Sequence, residues 1–189
     1  MLKVDERLIR KCIKGENQAI EELYHLVSAG LFGICLRYAN NREDAQDLLH
    51  DGFLKIMDNL KRFRWEGSFE GWLRRIIVNE AINYYRRGNF IHFKEYESVD
   101  FKIEGFDLSG LERMTQQELL GLLEKLPTGY RIVFNLYAIE EFSHPEISKM
   151  LNISESTSKS QYRKARLKLQ ELVIKMNKVT IKETIKSEK

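Results

Sequence analysis

The chain has 189 residues, 43% of them hydrophobic and 31% charged, with a formal net charge of +3. That length bounds one medium domain or two small ones. No uninterrupted apolar run reaches the ~20 residues of a membrane span, and the N-terminal Met-Leu-Lys-Val-Asp-Glu-Arg lacks the apolar core of a secretory signal, so a cytoplasmic protein without membrane insertion is expected.

Two prolines and few alternating apolar and polar runs predict an all-α protein. Cys12 and Cys35 fall on apolar helical stripes, which predicts buried reduced thiols, and His25, His50, His92 and His144 lack metal-ligand spacing, so neither metal nor cofactor is expected.

Leu8, Ile9, Cys12 and Ile13 predict a short amphipathic helix ended by Gly15, and Asn17 is placed to cap a longer helix to about Ala39. After Asn40-Asn41 comes a third helix, with Ala45, Leu48, Leu49, Phe53, Ile56, Met57 and Leu60 on one face. Its opposite face carries Asp44, Asp47 and Asp51, an acidic stripe that a phosphate backbone would repel. By itself such a stripe reads either as a solvated surface or as a protein-docking surface, the former being the commoner case.

The loop from Lys61 to Gly67 crowds three cations with Phe63 and Trp65 ahead of Ser68, a cap for a helix from Phe69 to about Arg87. Phe63 and Trp65 read equally as stacking platforms for unpaired bases or as core plugs. Within the helix, Phe69, Trp72, Leu73, Ile76 and Ile77 form the core face, whereas Arg75, Asn79, Asn83 and Arg86, flanked by Arg74 and Arg87, offer donors to bases and phosphates.

Charge is unevenly spread. Residues 1–90 hold 15 basic and 13 acidic side chains, 91–118 hold 3 and 7, and 119–189 hold 13 and 8, or net +2, −4 and +5. The acidic stretch Ile91 to Gly110 lacks helical periodicity, which predicts a flexible linker between two small helical domains. Beyond it, Ser143-x-x-Glu146 is a capping box, Ile147, Met150 and Leu151 make an apolar face, and Asn152 stops the helix. Ser154 caps the next helix, where Tyr162, Ala165, Leu169, Leu172 and Val173 point to a core. Ser156, Lys159, Ser160 and Arg163 point away, and Lys164, Arg166 and Lys168 extend the charge. Cap, turn and basic face predict a helix-turn-helix that lies in a major groove. The Lys-rich last dozen residues read as a frayed tail.

In order, these segments resemble a bacterial sigma factor of the extracytoplasmic-function (ECF) group, with sigma region 2 and sigma region 4. The run Asp44-Ala-Gln-Asp-Leu-Leu-His-Asp-Gly-Phe-Leu-Lys-Ile resembles the helix that docks on the β′ clamp helices of RNA polymerase. Phe69 to Arg87 resembles the helix that melts the promoter and reads its −10 element. Leu126-Pro127, Arg131-Ile-Val-Phe, Glu146-Ile-Ser and Ser154 to Arg166 resemble region 4, which reads the −35 element. Ser158 departs from a usual apolar residue, commonly Val, and facing inward it needs a backbone partner or a slight helix rotation. Gln161 replaces a frequent Arg and Ser148 a frequent Ala.

The resemblance implies region 2 at 1–90, a linker at 91–115, region 4 at 116–176 and a tail at 177–189. It implies a transcription initiation factor, not an enzyme, that binds core RNA polymerase through its β′ clamp helices and β flap, binds promoter DNA and answers to an anti-sigma factor. Asp44, Asp47, Leu48, Asp51 and Lys55 would meet polymerase. Phe63, Trp65, Arg74, Arg75, Asn79, Asn83, Arg86, Arg87, Ser156, Lys159, Ser160, Arg163, Lys164 and Arg166 would meet DNA. The alternatives are a stand-alone helix-turn-helix regulator and, more remotely, a nuclease with a divalent metal on the three aspartates.

Overall fold

In the computed structural model the described residues are 4–87 and 114–187, and all their regular structure is helical. Of the predicted linker at 91–115, residues 91–113 lie outside them. The chain divides between Asn89 and Phe90 into two compact units.

The first unit contains α1 (Glu6–Ile13), α2 (Asn17–Tyr38), α3 (Arg42–Asn59) and α4 (Phe69–Arg87). The Asp5 side chain caps α1 by accepting from the Arg7 amide at 3.1 Å, and Gly15 ends it with φ 81°. Asn17 is the first residue of α2 rather than its cap. Glu16 holds the cap position and makes no side-chain cap bond, so α2 starts one residue early and relies on packing. Asn41 Oδ1 accepts from the Asp44 amide at 2.7 Å, and Ser68 Oγ from the Gly71 amide at 3.3 Å, so α3 and α4 start at side-chain caps.

By length and composition α2 could cross a membrane, although its acidic Glu21 and Glu22 interrupt the apolar run. Here it is a packing helix. It touches α1, α3 and α4, burying Leu23, Val27, Leu31, Cys35 and Tyr38. Leu48, Leu49, Phe53 and Ile56 of α3 and Leu73, Ile77, Ile82 and Tyr85 of α4 complete the core, and the Tyr85 hydroxyl donates to the Tyr38 carbonyl. Cys12 and Cys35 are buried free thiols.

Helices α3 and α4 approach closely at Gly52, where a Cβ would run into Cδ1 of the fully buried Ile77. Gly52→Val is therefore expected to destabilise this unit by about 1–3 kcal/mol, the usual range for overpacking. Chemical denaturation checks this, and an unchanged midpoint would show that Ile77 moves aside freely.

The second unit contains α5 (Gln116–Glu124), α6 (Thr128–Phe134), α7 (His144–Leu151) and α8 (Glu155–Ser187). Helix α5 opens on a Thr115/Glu118 capping box, and α6 runs on into a wider π-type turn over Asn135–Ile139. Leu122, Leu123, Leu126, Phe134, Ala165 and Leu169 form a core, flanked by Tyr162, Leu172 and Val173. Helix α8 is its spine, packing on α5, α6 and α7. Its backbone stays helical to Ser187, past the point near 176 where sequence periodicity placed a tail. In helices, Lys-rich sequence retains good intrinsic propensity even where no apolar face repeats.

Candidate nucleic-acid and partner interfaces

The helix-turn-helix is built from two caps and one left-handed residue. Ser143 accepts from the Glu146 amide while the Glu146 carboxylate accepts from the Ser143 amide at 2.8 Å, which closes the start of α7. Asn152 then adopts φ 54° and ψ 51°, the left-handed geometry that ends α7. Ser154 Oγ accepts from the Thr157 amide at 3.0 Å and lies 2.8 Å from both Ser156 Oγ and Thr157 Oγ1. The exposed start of α8 therefore carries clustered hydroxyls at the positive end of a helix dipole, a favourable place for a phosphate.

Ser156 and Lys159 are exposed on α8, and Ser160, Arg163, Lys164 and Arg166 are half-buried. Lys159 has only a loose contact with Glu155, 3.8 Å away, which leaves it extended toward solvent. Arg166 turns back over the Tyr162 ring at 5.8 Å, so part of its reach is spent inside the unit. Lys168 is paired along its own helix: its ammonium is 2.8 Å from Glu171, which also holds Lys175 at 2.6 Å. Bonds from the two lysines push the Glu171 carboxyl down to about 2.

On α4, Arg75, Asn79 and Arg86 are exposed and Asn83 is half-buried along one stripe. Arg74 is exposed beside that stripe, and the side chain of Arg87 lies outside the described residues. The loop ahead of α4 separates its two aromatics. Phe63 is 9% exposed and packs 5.0 Å from Phe69 and 5.3 Å from Trp72, so most of its ring is enclosed by the core. Trp65 is 46% exposed and leans on Phe63 at 5.1 Å. Its φ of 61° is left-handed, a conformation that costs a bulky residue about 1–3 kcal/mol and that here turns the indole outward, two residues before Gly67 at φ 89°.

The acidic stripe of α3 is also divided. Asp47, Asp51 and Lys55 are exposed, but Leu48 is 4% exposed and belongs to the core, where the apolar periodicity of α3 puts it. Asp44 is half-buried and accepts a hydrogen bond from the Tyr84 hydroxyl of α4. Desolvation, then the Asp44 charge and hydrogen bond, push the Tyr84 phenol above its ordinary pKa. Asp44 thus ties α3 to α4, leaving Asp47 and Asp51 as the outward carboxylates. Sequence reasoning passed over Leu54, which is 52% exposed and lies three residues beyond Asp51. Its signal was an apolar side chain outside the core periodicity of its helix. Asp47, Asp51, Leu54 and Lys55 share one solvent face, an apolar centre ringed by charge.

Ser158 is fully buried, and its partner is neither backbone nor a rotated helix: its Oγ lies 2.9 Å from His144 Nδ1 on α7. Ser148 Oγ donates to the Pro145 carbonyl at 2.9 Å, and Gln161 is buried.

Two sigma-70 families match this chain: region 2 over residues 21–90 and region 4 over residues 116–169. RNA polymerase sigma factor YlaC of Bacillus subtilis (strain 168) is 30% identical over 169 residues, covering 83% of this chain and 93% of the relative. ECF RNA polymerase sigma factor SigE of Mycolicibacterium smegmatis is 25% identical over 164 residues, covering 85% of this chain but 63% of that longer protein. The sigma factor RpoE of Bartonella quintana, solved in complex with the anti-sigma factor NepR, has a similar fold: TM-score 0.50, 22% identity, 82% of this chain and 96% of that one.

Proposed function

The chain belongs to the sigma-70 family, in its ECF group, and from that premise we propose how its residues divide the work of a transcription initiation factor. Such a factor binds core RNA polymerase, brings it to specific promoters and assists their melting. The reading of its residues rests on one observation: α3 and α4, packed against each other, present exposed faces of opposite character. Asp47 and Asp51 with Leu54 suit a cationic protein surface. Arg75, Asn79 and Arg86 suit a DNA strand.

In this scheme the α3 face docks on polymerase, and Ser156, Lys159, Ser160 and Arg163 of α8 grip the upstream duplex. Trp65 stacks on a base freed during melting while Arg75, Asn79, Asn83 and Arg86 hold the strand. Joining two weak DNA contacts in one chain makes the second nearly intramolecular, so selectivity exceeds that of either unit. Polymerase supplies the covalent chemistry, and no residue of this chain is assigned a catalytic role. The factor works in the cytoplasm, and an anti-sigma factor, the partner in the RpoE structure, would compete for one of these faces. Relatives named as polymerase sigma factors favour this scheme over a stand-alone regulator.

Core polymerase assembled with this protein is expected to make promoter-specific transcripts that core alone does not. Within that assembly, Lys159→Ala and Arg163→Ala should each weaken upstream binding and reduce the slope of log affinity against log salt by about one. Equal slopes in parent and variants would remove α8 from the phosphate contacts.

A further inference from the structure

The turn between α7 and α8 is bridged by a polar pair that the DNA-contacting face does not use. His144 is the first residue of α7 and Ser158 lies in the first turn of α8, next to Lys159. Their 2.9 Å contact is the hydrogen bond that satisfies a hydroxyl with no solvent exposure. Around it, the imidazole stacks on Tyr137 at 4.3 Å and 15°, meets Tyr162 edge-on at 6.0 Å, and Tyr137 lies 4.4 Å from Tyr162. One imidazole therefore joins the turn after α6, the start of α7 and two residues of α8. Apolar packing fixes the rotation of a helix without regard to direction, whereas a hydrogen bond adds a directional constraint. In a helix carrying a buried hydroxyl that has one partner, a small rotation leaves that hydroxyl unsatisfied.

We infer that His144 is a positioning residue for DNA reading: through Ser158 it sets the rotation of α8, and with it the direction in which Lys159 and Arg163 point. The inference rests on the reading of α8 as the upstream DNA contact. It makes Ser158 and His144 one unit, in which an apolar pair of similar shape could replace the polar one but neither member could change alone.

The pair also carries a pH signature. Burial, and then the charge of Lys159, hold the His144 imidazole below its ordinary pKa, with Glu155 opposing. The other groups facing it are the phenols of Tyr137 and Tyr162, the latter pushed upward by its own burial. Because the folded value is depressed, the contribution of the neutral pair is fully present above about pH 6.5 and is lost as pH falls below that, through the folded value.

The test is a double-mutant cycle in holoenzyme made with full-length protein, using a promoter fragment selected from a random pool by the parent holoenzyme, with and without its upstream element. His144→Phe keeps the stack on Tyr137 but strands the hydroxyl, and Ser158→Val strands the imidazole. Each alone is expected to reduce the upstream element's contribution about tenfold, from the loss of one part-buried hydrogen bond whose hydroxyl is fully enclosed. The double variant should recover to within about threefold of the parent, and its upstream preference should no longer decline between about pH 7.5 and pH 5.5. Additive losses, or single variants that bind like the parent, overturn the inference, as does an equal pH decline in the double variant. A merely structural role would lower the melting temperature of the single variants while sparing the upstream preference measured well below melting, which also overturns it. Should the parent select no upstream element, the DNA reading of α8 fails instead, a different result from a failed cycle.

Discussion

Trp65→Ala is expected to lower promoter opening by about 5- to 150-fold, the equivalent of the ~1–3 kcal/mol carried by one base stacked on an aromatic ring. The unfolding midpoint of the variant should stay close to that of the parent. The indole is 46% exposed, so alanine removes little core, and it keeps the Cβ from which the cost of the left-handed backbone arises. Phe63→Ala is the contrasting control. Phe63 is the ring against which Trp65, Phe69 and Trp72 all pack, and its truncation should cost about 3–5 kcal/mol of stability, as for other buried aromatics. Permanganate reactivity of unpaired thymines measures opening, and circular dichroism measures folding. If a premelted, bubble-containing promoter fails to rescue Trp65→Ala, or if opening is unaffected on duplex promoters, Trp65 is not a base platform.

Leu54→Glu should weaken assembly with core polymerase by about thirtyfold or more, the effect of losing an interface anchor worth at least ~2 kcal/mol. Leu54 is the exposed apolar member of a face whose other groups are Asp47, Asp51 and Lys55, and a carboxylate there adds unpaired charge where the partner must exclude water. Reversing Asp51 to Lys should act differently, slowing association and changing its salt dependence more than its dissociation. Leu48→Ala should instead unfold the unit by about 2–5 kcal/mol, since Leu48 is in the core. Titrating labelled polymerase with each folded variant separates these outcomes. Assembly of Leu54→Glu at parental affinity would place docking elsewhere on the unit.

Much of the fold was legible locally. The Ser68, Ser143 and Ser154 caps, the stop at Asn152 and the apolar faces of α3 and α8 follow from residues a few positions apart, because helix starts, stops and faces are set by hydrogen bonds and spacings within one or two turns. The same rules failed at Asn17, which is the first helical residue and not the cap, and they do not account for 177–187, where helical backbone continues without an apolar repeat. The Thr115/Glu118 capping box was present in the sequence as a signal for α5 and was passed over.

The site was legible as faces but not as individual side chains. The sequence by itself determined an all-helical chain, an acidic outer face on α3, basic outer faces on α4 and α8, and a helix-turn-helix, since each depends on periodicity along one segment. Only the tertiary structure decided which members of those faces remain available. Tyr84 of α4 draws in Asp44, Trp72 and Phe69 enclose Phe63, and His144 satisfies Ser158. These pairings join different helices, or a helix and the loop beside it. Burial and hydrogen-bond satisfaction depend on such packing, which no spacing within a single helix encodes.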